Sequence, residues 1–139
     1  MSNVQQLPIG VFDSGVGGLS VLKVLQEQFP NEDFIYIGDN ANNPVGNRSD
    51  DEITYLACHI AEALGKQPVK LMVIACNTFT VVALDAVRER VSVPVIGVSQ
   101  GVKTAISQSK SKTIGIMATV ATVNSHIHKH VALEVDHEV

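Results

Sequence analysis

Leu71-Met72-Val73-Ile74-Ala75 is an uninterrupted apolar run, and it constrains the fold of this chain more tightly than any other stretch. Five apolar residues without alternation suit a strand buried on both faces of a parallel sheet. The run ends in Cys76-Asn77-Thr78, three small groups able to hydrogen-bond, and a helical stretch, VVALDAVRER, follows. In an open α/β sheet, ligands bind in the crevice outside the carboxyl ends of the strands. Cys76 is expected there, at the positive end of a helix, a setting that favours thiolate over thiol. A lone free cysteine is usually a packing residue. A packing cysteine, however, would sit inside the strand, among Met72 and Ile74.

Upstream, Ile9-Gly10-Val11-Phe12 predicts a first strand, followed at once by Asp13-Ser14-Gly15-Val16-Gly17-Gly18. A helix then carries Leu19, Leu22, Leu25 and Phe29 at near-helical spacing and stops at Pro30. The glycine loop does not fit a dinucleotide fingerprint, because Ser20 stands where the third glycine of G-x-G-x-x-G is needed. A P-loop would need Gly-Lys-Ser/Thr, and Asp13 at the strand tip would repel a phosphate. The loop is better suited to leaving backbone N–H groups open for a carboxylate, while Asp13 faces an ammonium or a polar catalytic group. A tight turn needing glycine for its dihedrals explains the same residues, and both uses can hold together.

Phe34-Ile35-Tyr36-Ile37 predicts a second strand, leading through Gly38 to Asp39. Pro44 and Gly46 shape a polar loop from Asn40 to Arg48. Ser49-Asp50-Asp51-Glu52 is a capping box for a helix with Ile53, Leu56, Ala57, Ile60 and Leu64 in one stripe, ending at Gly65. Cys58 falls off that stripe and about 13 Å down the helix, a poor position for a second catalytic thiol. Pro94 to Val98 predicts a fourth strand, a helix follows from about Gly101 to Ser107, and Thr113 to Met117 predicts a fifth strand. Thr119, Thr122 and Ser125 then recur every three residues at a helix start, where hydroxyls cap or bind anions. The tail VALEVDHEV shows no turn signal or closing element. Strand–helix alternation of this kind means a doubly wound, mostly parallel α/β sheet.

The length suits one domain with a real core. A net charge of −4 without a basic cluster argues against a nucleic-acid partner. The N-terminus lacks the basic and apolar regions of a secretory signal, and no apolar run reaches the length of a membrane span. Cys58 and Cys76 are too few for a disulfide framework or a zinc site, which suits a reducing cytoplasm. His126 and His130 share a helical face as metal ligands would, but no carboxylate matches their spacing, so the His126, His128, His130 group reads as a solvated face with no metal bound.

Read in order, FDSGVGGLSV, DNANNPVGNRS, ACNT and IGIMATVATVNS resemble the N-terminal half of a glutamate racemase, across nearly all of Ile9 to Ser125. The resemblance implies a flavodoxin-like racemase fold, with residues 1–98 as the first domain and 99–139 as the start of a second, incomplete one. It also implies a cytoplasmic, cofactor-independent enzyme supplying D-glutamate for peptidoglycan, with a homodimer left open. By the same resemblance Cys76 is one of two catalytic thiols and Asp13 a catalytic partner. Asp13, Ser14, Val45, Gly46, Asn77, Thr78, Thr119 and Thr122 fall on substrate-binding positions. Racemisation fits these residues chemically: it needs an acid and a base flanking the α-carbon, and a thiol serves either role near neutral pH.

Two departures stand out. Val45 replaces a family tyrosine, and the opposing cysteine, which the family carries in a Cys-Thr-His context in its second half, is not in this sequence. The chain is therefore expected to be inactive by itself. A silent carboxylate-binding remnant of the fold and an aspartate racemase are the alternative readings.

Overall fold

A computed structural model of the chain describes residues 4–98, 101–111 and 113–135. After a single 3-10 turn, four strands form: β1 (Ile9–Asp13), β2 (Phe34–Gly38), β3 (Leu71–Ile74) and β4 (Val95–Gly97). All pair in parallel, in the spatial order β2-β1-β3-β4. Helices α1 (Gly18–Gln28), α2 (Asp50–Gly65) and α3 (Asn77–Arg90) connect them, and α4 (Val102–Gln108), α5 (Val120–Asn124) and α6 (Ile127–Val135) follow.

The alternation of side chains along each strand sorts the core into two layers. Phe12, Met72 and Ile74 face α2 and α3, where Ile53, Ala57, Leu64, Phe79, Ala83 and Val87 are fully buried. Ile9, Val11, Val73 and Ala75 face the other way, onto Val21, Leu22 and Leu25 of α1. Helices on both faces of a parallel sheet are the doubly wound architecture expected from the sequence. The capping box also forms: Ser49 Oγ accepts the Glu52 N–H at 3.3 Å, and the Glu52 carboxylate accepts the Ser49 N–H at 3.1 Å. The bond from the Ser49 N–H, and after it one from the Ser49 hydroxyl at 3.0 Å, hold the Glu52 carboxyl below its ordinary value. Asp39, at the tip of β2, accepts from both the backbone and the side-chain amide of Asn42 and so shapes the following loop.

Several expectations fail, each for a packing reason. Residues 113–117 form no strand, because no ladder partner lies beside them among the described residues, and Ile116 and Met117 stay exposed. Leu19 and Phe29 do not pack: β1 and β3 accept the ridge of Val21, Leu22 and Leu25, leaving Leu19 48% exposed. Cys58 lies inside the packed face of α2, since α3 covers a wider arc of that helix than a single stripe. Residues 131–135 of the tail belong to α6, which packs Ala132 against Val102 and Ile106 of α4, while 136–139 lie outside the described residues. His128 is not solvated. It is 8% exposed, and neither ring nitrogen has a hydrogen-bond partner among the described residues.

Leu64 lies against Gly10 so closely that a Cβ there would meet its Cδ2 at 2.7 Å. Leu64→Ala should therefore cost about 2–5 kcal/mol in urea unfolding. Leu19→Ala should stay within about 0.5 kcal/mol, as an exposed site does. Comparable losses at the two positions would return Leu19 to the packed face.

Candidate active site

The order β2-β1-β3-β4 sends the chain from β1 to one side and returns it, at β3, on the other. This reversal places a crevice between the carboxyl ends of β1 and β3. Asp13 ends β1 and Cys76 follows β3, so the two tips lie side by side; the Ala75 N–H still donates to the Phe12 carbonyl at 2.8 Å. Cys76 is the N-cap of α3, and its Sγ accepts the Phe79 N–H at 3.4 Å. Ser14 Oγ lies 3.3 Å from the same sulfur. The Asp13 carboxylate turns back to accept the Gly15 N–H at 2.9 Å. Asp13 and Cys76 are 6% and 7% exposed.

A second cluster closes over the start of α3. Thr119 caps α5, its Oγ1 accepting the Thr122 N–H at 3.3 Å. The hydroxyls of Thr78, Thr119 and Thr122 form a triangle with sides of 3.0, 3.0 and 3.5 Å. They satisfy one another, so a ligand oxygen entering here would take over one of these bonds. The loop of Val45 and Gly46, which follows a cis Asn43–Pro44 peptide, meets this cluster. The Gly46 carbonyl accepts the Ala121 N–H at 3.2 Å, and a Cβ on Gly46 would come 2.6 Å from Thr119 Cβ. Val45 is buried in the apolar cluster that also holds Cys76 and Ala121. Where the resembling family carries a phenol, this chain thus places an aliphatic group inside its own core.

A cleft of about 510 Å³ adjoins these residues, with Asn77, Val98, Gly101, Met117 and His128 in its walls. Cys76 and Asp13 do not line it. Asp13, Ser14 and Cys76 lie at the strand tips, Val45, Gly46, Thr119 and Thr122 lie over the start of α3, and of the sequence-derived residues Asn77 alone lines the open cleft. Cys58 stands apart, buried where α2 meets α3, beside Tyr55, Glu62 and Arg90. Burial pushes its thiol up, against a smaller opposing pull from Arg90. Among the described residues, no three His, Cys, Asp or Glu side chains gather closely enough to hold a metal ion, and no helix is long and apolar enough to cross a membrane.

Sequence reasoning passed over Tyr36. On β2 it faces the α1 side, and its hydroxyl donates to the Gly15 carbonyl at 2.9 Å. Periodicity cannot single out one polar atom in a strand covered on both faces. The available signal was Gly38, two residues on and on the same face, where any Cβ would overlap the Gly15 carbonyl.

Comparison with known proteins shows the family and the fold. A curated glutamate racemase of Herpetosiphon aurantiacus is 50% identical over 116 residues, which is 84% of this chain and 46% of that protein. The solved glutamate racemase of Aquifex pyrophilus superposes with a TM-score of 0.87 at 40% identity, covering 94% of this chain and 52% of that one. The enzyme of Francisella tularensis, solved in complex with D-glutamate, gives 0.83 at 40% identity, with 94% and 49% covered. The chain spans about half the length of the curated relatives it matches. The family model for Asp/Glu/Hydantoin racemase matches residues 9–138, and the chain belongs to that family.

Proposed function

We propose that this chain carries one wall of a glutamate racemase site, with Cys76 as the acid/base on one face of the substrate α-carbon. The observation that carries the reading is the setting of the Cys76 sulfur. It caps α3 and lies 3.3 Å from Ser14 Oγ, on the strand tip adjacent to the one that ends in Asp13. The likeness to a relative solved with D-glutamate supports the choice of substrate.

In the proposed reaction the Cys76 thiolate takes the α-proton and becomes a thiol. The electron pair left on carbon spreads into the substrate carboxylate. The Gly15 N–H is taken by the Asp13 carboxylate, so in this reading backbone N–H groups at the start of α3, with the Thr78 and Thr119 hydroxyls, receive that growing charge. A protonated group on the opposite face returns a proton, inverting the centre, and the reverse reaction exchanges the two roles. Asp13 faces the substrate ammonium or tunes the thiol. Cys58 does not supply the opposing group, because it is packed in the α2–α3 core. The proposed cellular role is supply of D-glutamate for peptidoglycan in the cytoplasm.

Alkylation resolved by mass spectrometry tests the thiol. Iodoacetamide at mildly acidic pH should label Cys76 before Cys58, whose thiol burial raises, and saturating D-glutamate should slow Cys76 labelling severalfold and leave Cys58 unchanged. Faster labelling of Cys58, or no protection at Cys76, would sink the reading.

Incubation with L-glutamate in D₂O tests for the opposing group. The purified chain is expected not to sustain formation of α-deuterated D-glutamate. Sustained formation, abolished by Cys76→Ala, would show that the opposing acid/base lies within this chain.

A further inference from the structure

We propose that Tyr36 is a positioning residue for this site: by holding the Gly15 carbonyl, its hydroxyl sets Ser14 Oγ against the Cys76 sulfur. The inference rests on the proposed role of Cys76. Gly15 is clamped on both sides. Its carbonyl accepts from Tyr36 Oη at 2.9 Å, and its N–H donates to Asp13 Oδ2 at 2.9 Å. The space around it leaves no other seat. Gly38 has no side chain because the Gly15 carbonyl occupies that position, and a Cβ on Gly15 itself would meet Asn43 Nδ2 at 2.8 Å. A Cβ on Gly18 would lie 3.0 Å from Tyr36 Oη and 2.7 Å from Asp13 Cβ, so the phenol tip, the carboxylate stem and the start of α1 share one tight contact.

Ser14 directly precedes the clamped residue, and the backbone on its far side is fixed by the β1 ladder, so its side chain keeps its aim only while Gly15 is held. The electrostatic setting keeps Tyr36 in its donating form. Burial first, then negative charge on Asp13, then on Cys76, push its phenol above the ordinary value. A donor that stays protonated as neighbouring groups change charge suits a fixed support and not a proton-transfer group. Tyr36 therefore acts through Ser14 and does not touch the reacting atoms.

A double-mutant cycle tests this on the chain as it stands. The readout is the ratio of Cys76 to Cys58 alkylation at mildly acidic pH, with amide hydrogen exchange at Gly15 followed by NMR. Tyr36→Phe keeps the ring and removes only the hydroxyl. It is expected to lower the labelling ratio about fivefold, the factor one neutral hydrogen bond is worth, and to speed Gly15 exchange by a similar factor without changing exchange along β3. Ser14→Ala should lower the ratio as well, and the double variant should fall no lower than Ser14→Ala alone. Gly38→Ala, whose Cβ would overlap the same carbonyl and press on Tyr36 Cε1 at 3.1 Å, should reproduce the loss.

Unchanged Gly15 exchange in Tyr36→Phe, additive effects in the cycle, or a Tyr36→Phe chain that no longer folds would each overturn the inference. Equal labelling of the two cysteines in the unsubstituted chain would instead overturn the role of Cys76. The exchange experiment would still decide whether Tyr36 holds the turn.

Discussion

The structure depends on the parallel pairing of β1 with β3. These two strands are the most buried in the sheet, they belong to opposite directions of winding, and each is covered on both faces. Their register sets Phe12 beside Ile74, so the next step sets Asp13 beside Ala75, and Cys76 follows at the rim. A slip of one residue would invert every side chain of β3 between the two layers. It would push Met72 and Ile74 toward α1 and carry the thiol away from Ser14. Core packing and site geometry are therefore enforced by the same ladder, and a change that weakens one disturbs the other.

What could be read from the sequence divides along physical lines. The four strands, the capping box and the three helices flanking the sheet follow from local signals: apolar runs, an N-terminal cap, and punctuation by Pro30 and Gly65. Their partners are present, so the elements form as expected. Residues 113–117 carry an equally clear strand signal and form none. A strand is a relation between two segments, and local apolarity does not supply the second. The same distinction explains Cys58 and His128. Burial depends on which neighbour covers a helix and over what arc, information that a single stripe of spacing does not hold.

The candidate site was legible in part for the same reason. Asp13, Ser14 and Cys76 sit where strand meets turn, a boundary that sequence marks well. Thr119 and Thr122 were legible as a cap, and their approach to Thr78 was not, because it depends on how α5 lies over α3. Tyr36 was hidden because its importance lies in one oxygen atom pointing at one carbonyl. Val45 read as the loss of a phenol from a wall, and the structure adds that the replacement is used as core.

The contacts that define the site also join distant parts of the chain. Ser14 and Cys76 are 62 positions apart, and Thr78 and Thr119 are 41 apart. Contacts of that span carry a loop-closure cost and form late in folding, after local helices. During synthesis the glycine turn and its strand emerge first and wait for β3 before Ser14 has a sulfur to face. The hydroxyl triangle waits longer still, for α5. The cap of Cys76 on α3 is local and does not wait, but until β3 joins β1 the thiol lacks its neighbouring hydroxyl. Of the surroundings of the thiol, it is therefore the Ser14 hydroxyl that depends on β1 and β3 having paired.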